Sequence, residues 1–301
     1  MYAIIGATGH IGSRVADILL SKGEKVRVIG RDMSRLQQFV NRGAKAVAGD
    51  LKDTSFLAGA FKGVDGVFAM IPPNNAAPNF RAYQDVVGSS IARAIGTAGV
   101  SHVVNLSSQG ADLPRGTGPI LGLHDQEMRL NALHGLHILH LRPTYFMENL
   151  LATVPLIHEH GFAGSAVRGD LKFAMIATTD IAERAAGHLL ARDFSGSSVL
   201  DLLGQRDLSL QEAFTIIGRR IGILDLAYRQ FTPEEFGRAL IGMGMSPDMS
   251  RLMIEMSEAL NRGLFAVNRS RNAVNTTPTS IETFAGWFTE VYHGAEHRRA
   301  A

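Results

Sequence analysis

The chain has 301 residues, 46% of them hydrophobic and 19% charged, the balance of an ordinary globular protein, and no run approaches the roughly 18 apolar residues of a membrane span. Cysteine is absent, which excludes disulfides, a thiolate nucleophile and cysteine-held metal. A formal charge of +2 with pI near 9.0 comes without a basic stripe, so neither direct nucleic-acid binding nor a membrane partner is expected.

The length suggests one core with a smaller appended lobe. No basic, apolar, cleavable leader precedes the first strand-like segment at Tyr2, so a cytoplasmic setting is expected.

Short apolar runs alternate with helical patterns through the first half, the rhythm of a doubly wound parallel sheet with helices on both faces. Strands are expected at residues 2–5, 25–29, 44–48, 66–71, 102–106 and 137–141. In residues 80–98 Phe80, Tyr83, Val87, Ile91, Ala94 and Ala98 recur every three or four places, one apolar stripe of a long helix.

Past Thr144 helices alternate with short strands at 173–176 and 199–202, with Thr179-Asp180 and Ser209 placed as helix N-caps. Residues 233–263 carry Met243, Met245, Met249, Met253 and Met256, either plain core or a pliable wall for a flat apolar substrate. Ile281, Phe284, Trp287, Phe288 and Val291 form the buried face of a closing helix. The expected division is 1–150 as a nucleotide-binding domain and 151–301 as a small, mostly helical C-terminal lobe, with 172–202 and 278–292 returning to the main body.

The first strand runs into Gly6, Gly9 and Gly12, spaced by three, and then into a helix bearing Ile11, Val15, Ile18 and Leu19. Strand, glycine turn and helix in that order converge backbone N–H groups and a positive dipole end on one point, the requirement for holding a dinucleotide's diphosphate. Gly6 makes the turn, Gly9 admits the phosphate, and Gly12 permits close helix packing.

At the end of the second strand, "VIGRD" offers Arg31 where an acidic residue would accept bonds from a ribose. A guanidinium suits a 2′-phosphate, and Arg35 stands one turn onward, so NADP(H) is favoured over NAD(H). Asp32 remains an alternative ribose ligand, with Arg31 then an ordinary surface residue.

"IIGATGHIG", "VIGRD", "GDLKD", "MIPP", "VNLSS", "LRPTYFMENLL" and "TTDIAERAAGHLL", in this order, resemble the NmrA-like group of atypical short-chain dehydrogenases/reductases over roughly residues 2–200. The resemblance implies a Rossmann sheet with a small substrate lobe, and activities that include quinone and dye reduction and redox sensing. It implies Gly6, Thr8, Gly9, His10, Ile11 and Gly12 along the diphosphate, Arg31 at the adenosine phosphate, and Asp50 and Leu51 near the adenine. Met70, Ile71, Pro72, Ser107 and Ser108 then face the nicotinamide. Asp50 could equally cap a turn, and Ser107 and Ser108 could satisfy loop backbone.

The usual catalytic pair of short-chain dehydrogenases, a tyrosine with a lysine four residues on, is missing. Four places beyond Tyr2, Tyr83, Tyr145, Tyr228 and Tyr292 stand Gly6, Val87, Asn149, Thr232 and Glu296. The remaining substrate-side candidates are His124, with Glu127 on its helix face, and Tyr145, Phe146 and Asn149; His124 could instead be a surface or capping group. No metal set is expected, because His137 and His140 point to opposite faces of a strand.

Two functions fit: an NADPH-dependent reductase of quinone-like, electron-poor small molecules, or an NADP(H)-binding redox sensor without turnover. The expected partner is a small-molecule substrate. A homodimer or a regulatory protein partner stays open.

Overall fold

The computed structural model describes residues 1–265 and 270–300. Its elements in chain order begin β1 (Tyr2–Ile5), α1 (His10–Ser21), β2 (Val26–Gly30), α2 (Met33–Val40), β3 (Lys45–Ala48), α3 (Thr54–Phe61), β4 (Gly66–Ala69) and α4 (Phe80–Ala98). Then follow β5 (His102–Leu106), a 3-10 turn at Gly118–Ile120, α5 (Leu121–Asn131), β6 (His137–Pro143), β7 (Tyr145–Phe146) and a second 3-10 segment at Met147–Thr153. The remainder comprises α6 (Val154–His160), β8 (Phe162–Ser165), β9 (Phe173–Ile176), α7 (Thr178–Ala191), β10 (Ser197–Leu202), β11 (Asp207–Leu208), α8 (Leu210–Ile221), β12 (Ala227–Gln230), α9 (Pro233–Gly242), α10 (Pro247–Asn261) and α11 (Ile281–Ala300).

Seven strands form one sheet in the order β10-β6-β5-β4-β1-β2-β3, and every pair in it is parallel. This is the doubly wound Rossmann arrangement, whose strand order reverses between β1 and β4 and leaves a crevice at their carboxyl ends. Alternation along each strand feeds two cores. Ile4, Val28, Phe68 and Val104 face α1 and α7, whereas Ala3, Ile5, Ile29, Val67 and Val103 face α3, α4 and α5.

Strand β4 stops at Ala69, short of the expected Ile71, because Pro72 and Pro73 follow and cannot donate to a ladder. The Ser209 cap is realised as a capping box with Glu212. The expected cap at Thr179-Asp180 is not: α7 starts at Thr178, and Glu148 Oε1 accepts from Thr178 N (2.8 Å) and Oγ1 (2.5 Å). Asp180, buried at 4% exposure, accepts instead from Thr279 N (3.0 Å) and Oγ1 (2.6 Å). A carboxylate from a distant segment supplies what the local residue would have.

The lobe has its own core, in which Ile281, Phe284 and Phe288 of α11 pack with Phe214 and Ile217 of α8. Segment 278–292 therefore packs chiefly inside the lobe and not along the main sheet. It meets α7 through Thr279 on Asp180, and the first half of the chain through Trp287 on His10, ring centroids 6.0 Å apart. Met249 and Leu252 of α10 are buried against Ala77 and Phe80, with Met245 and Met253 beside them, while Met256 packs near Ala111 and Ile120. Met243 is exposed. Asp248 Oδ2 accepts from Phe80 N (2.9 Å) and Ser246 N donates to Asn75 O (2.8 Å), so α10 is fastened over the loops that follow β4 and β5. Among the described residues no helix is long and apolar enough to cross a membrane.

Candidate functional site

The crevice at the β1/β4 switch point is floored by the glycine turn. Gly6 has φ +73°, a conformation L side chains rarely adopt, and a Cβ there would strike Met70 Sδ. Gly9 N donates to Gly6 O (2.9 Å), closing the turn, and Gly9 is the extended N-cap of α1 with no side chain capping it. A Cβ on Gly12 would run into the Gly6 carbonyl oxygen, with the carbonyl carbon only 2.6 Å away, so helix and turn touch through bare backbone.

Thr8 is half-buried, Gly9 and His10 are exposed, and Ile11 and Gly12 are buried. The first turn of α1 carries no acidic residue. Its amide groups thus present an uncompensated positive end at a concave backbone surface, which fits a diphosphate.

Arg31 and Arg35 are exposed at the end of β2 and on α2. Asp32 is committed elsewhere: its Oδ1 accepts from Ser34 N (2.9 Å) and Ser34 Oγ (2.7 Å), capping α2. These bonds, the Ser34 hydroxyl first, hold the Asp32 carboxyl below its usual range. The Arg31 side chain is exposed to solvent beside it.

Asp50 is exposed and Leu51 buried. Asp50 Oδ1 accepts from Lys52 N (3.0 Å), so the turn-cap reading of Asp50 holds, without removing its second oxygen from use. Tyr83 of α4 joins this edge, having looked from its spacing like one more stripe residue. Its hydroxyl donates to Pro72 O (2.8 Å) and Lys52 Nζ lies 5.8 Å from its ring centroid. Burial raises the Tyr83 phenol, with the Arg31 cation lowering it and the Asp50 carboxylate raising it. The segments that follow β3 and β4 thereby meet at one ring, through Lys52 and Pro72. No periodicity could have revealed this, since Tyr83 is half-buried exactly as a stripe requires.

Of the residues expected to face the nicotinamide, Met70 is half-buried against Gly6 and both sheet cores, Ile71 is buried and Pro72 half-buried. Ser107, expected to face the cofactor, is 3% exposed and its Oγ donates to Glu127 Oε1 (2.5 Å). Ser108 is half-buried and its Oγ donates to Gln109 O (3.0 Å), a loop-satisfying role. Glu127, expected to share a face with His124, turns to Arg142: Arg142 Nε and Nη2 lie 2.9 and 2.6 Å from its two oxygens. Sequence reading left out Arg142 because nothing local marks a strand arginine as a buried partner.

His124 is half-buried, with Nδ1 2.8 Å from Ala111 O, so the ring donates from Nδ1 and is fixed by the loop after β5. Tyr145 meets Phe173 in the small β11-β9-β7 sheet, ring centroids 5.2 Å apart and planes tilted by 60°, and burial raises its phenol. Phe146 packs on the α1/α7 core and Asn149 is exposed on the second 3-10 segment. Within the described residues no three His, Asp or Glu side chains are placed to hold a metal.

The family description that matches is the NmrA-like family, over residues 2–285. The chain is 29% identical over 258 residues to the NAD(P)H azoreductase of Xenophilus azovorans, covering 85% of this chain and 86% of that one. It is 26% identical over 287 residues to quinone oxidoreductase 2 of Escherichia coli, covering 93% and 95%. The crystal structure of the Escherichia coli NADPH-dependent quinone oxidoreductase with NADPH is similar in fold, with TM-score 0.80 at 22% identity over 95% of this chain and 99% of that one.

Proposed function

Because the chain belongs to the NmrA-like family, we propose that it is an NADPH-dependent reductase of quinone-like or other flat, electron-poor small molecules. The observation that carries the reading is the Gly6–Gly12 cradle, where backbone fills the space a side chain would need, set beside an exposed Arg31. Names of the relatives, an azoreductase and a quinone oxidoreductase, support the same chemistry. The reduced cofactor supplies a hydride when bound.

The chain's own residues do the rest. Gly6, Gly9, His10 and Gly12 hold the diphosphate on backbone N–H groups, Arg31 and Arg35 select the 2′-phosphate, and Asp50, Leu51 and Tyr83 border the adenine. Met70, Ile71 and Pro72 set the nicotinamide side, and α10 with Met249 and Met253 covers the substrate from above, excluding water. An acceptor of this class takes hydride without a strong acid, which removes the need for the absent Tyr–Lys pair. Its proton comes from solvent, or from Nε2 of His124 when the ring is the imidazolium, since a neutral ring that donates from Nδ1 to Ala111 O carries no proton on Nε2. The reading takes the cytoplasm as the setting and a small molecule as the partner.

The missing pair favours one other function, a redox sensor that binds NADP(H) without turning it over. Purified protein is mixed with NADPH and a panel of quinones and azo dyes, and nicotinamide absorbance is followed. Oxidation dependent on an acceptor supports the reductase. Tight NADPH binding with no oxidation by any acceptor replaces it with the sensor.

A further inference from the structure

The last helix of the lobe reaches the diphosphate turn. Trp287 of α11, the one tryptophan in the chain, meets the exposed His10 ring edge to face, centroids 6.0 Å apart and planes at 76°. His10 is the first residue of α1, directly after the Gly9 N-cap. Trp287 also packs edge to face, at 5.6 Å, with Phe284, which is buried in the lobe core. A second tie sets the register of α11: the buried Asp180 of α7 accepts both bonds from Thr279, just before the helix begins, and α7 itself lies along α1. The line Phe284–Trp287–His10 thus joins the lobe's core to the turn that holds the cofactor.

We propose that Trp287 is a positioning residue for the dinucleotide, acting through His10, so that the lobe helix α11 completes the diphosphate site. The inference rests on the glycine-cradle reading above. A histidine at an uncapped helix start has many rotamers open to it when exposed; the indole edge limits them, holding the ring beside the amide groups that bind phosphate. Aromatic pairs of this geometry have an energy sufficient to matter for binding and too small to decide folding.

The full chain is titrated with NADPH as wild type, Trp287→Ala, His10→Ala, the double variant and Trp287→Phe. Each alanine variant is expected to weaken NADPH binding about three- to tenfold, the double variant no more than the worse single one, and Trp287→Phe to keep affinity within about twofold. Emission of the single tryptophan is expected to fall on NADPH saturation, and further than with NADP+, because the reduced nicotinamide absorbs where indole emits. Should Trp287→Ala fail to fold, the exposed His10→Ala and the emission change carry the test. Additive effects of the two alanine variants together with unchanged emission overturn the proposal while leaving NADPH binding intact. Failure of the wild-type chain to bind NADPH overturns the cofactor reading, and this one with it.

Discussion

Glu127 and Arg142 form a two-pronged ion pair at the carboxyl edge of the sheet, with side chains only 5% and 14% exposed and contacts of 2.9 and 2.6 Å. The same carboxylate accepts from Ser107 Oγ, so α5, β6 and the end of β5 are joined at one group. The Arg142 guanidinium is held above its usual range chiefly by the hydrogen bonds to Glu127. A buried charge left without its partner is costly, whereas removing both can be tolerated.

Glu127→Gln is expected to destabilise the chain by about 3–5 kcal/mol, read as a lower denaturant midpoint at unchanged slope. Glu127→Leu with Arg142→Met should lose less than the two single changes added together. A Glu127→Gln midpoint equal to wild type removes the pair from the stability account.

Gly12→Ala forces a Cβ into the Gly6 carbonyl. Overpacking of this kind costs about 1–3 kcal/mol, and because the strain sits in the turn, NADPH affinity should fall at least about tenfold. Calorimetric titration beside thermal melts separates the two effects; unchanged affinity would detach this turn from cofactor binding.

Arg31→Ala is expected to weaken NADPH binding by about tenfold to a hundredfold, the worth of charge-assisted hydrogen bonds, and to leave NADH binding unchanged. The comparison of dissociation constants for the two cofactors in both proteins checks it. An equal loss for both cofactors contradicts a role for Arg31 at the 2′-phosphate.

His140 titrates against folding. It is fully buried, with Nδ1 3.1 Å from Asn105 Nδ2 and Nε2 2.9 Å from Asn131 Oδ1, a pairing that suits one acceptor and one donor nitrogen. Burial lowers its pKa from 6.5 to about 4. The unfolded chain therefore binds the proton more readily, and stability rises with pH across this window. The contribution is full above about pH 6.5, and it is lost progressively as pH falls toward 4. At about 1.4 kcal/mol per pH unit the whole window is worth on the order of 3 kcal/mol. Denaturant midpoints from pH 4 to 7 should fall more steeply for wild type than for His140→Gln; parallel profiles would disprove it.

His124→Ala is expected to lower kcat with a quinone about tenfold at unchanged NADPH affinity, less than the usual weight of a general acid because solvent can also supply the proton. Identical turnover leaves the proton to solvent alone.

Sequence alone determined the parallel sheet, the glycine turn and the absence of a Tyr–Lys pair, because each is local: strand alternation, a three-residue glycine spacing and a count of positions need no distant partner. Residues 2–5 and 102–106 form strands, and Gly6 adopts the positive φ that its place after a strand demands. The tertiary structure decided what depends on segments far apart in the chain. Ser107 faces Glu127 and not open solvent. Asp180 bonds Thr279, 99 residues on, and does not cap its own helix. Tyr83 and Trp287, apolar-face residues by spacing, meet Pro72 O and the His10 ring because α4 and α11 carry them there. A hydrophobic period tells that a side chain is buried; only the packing of the elements tells what it is buried against.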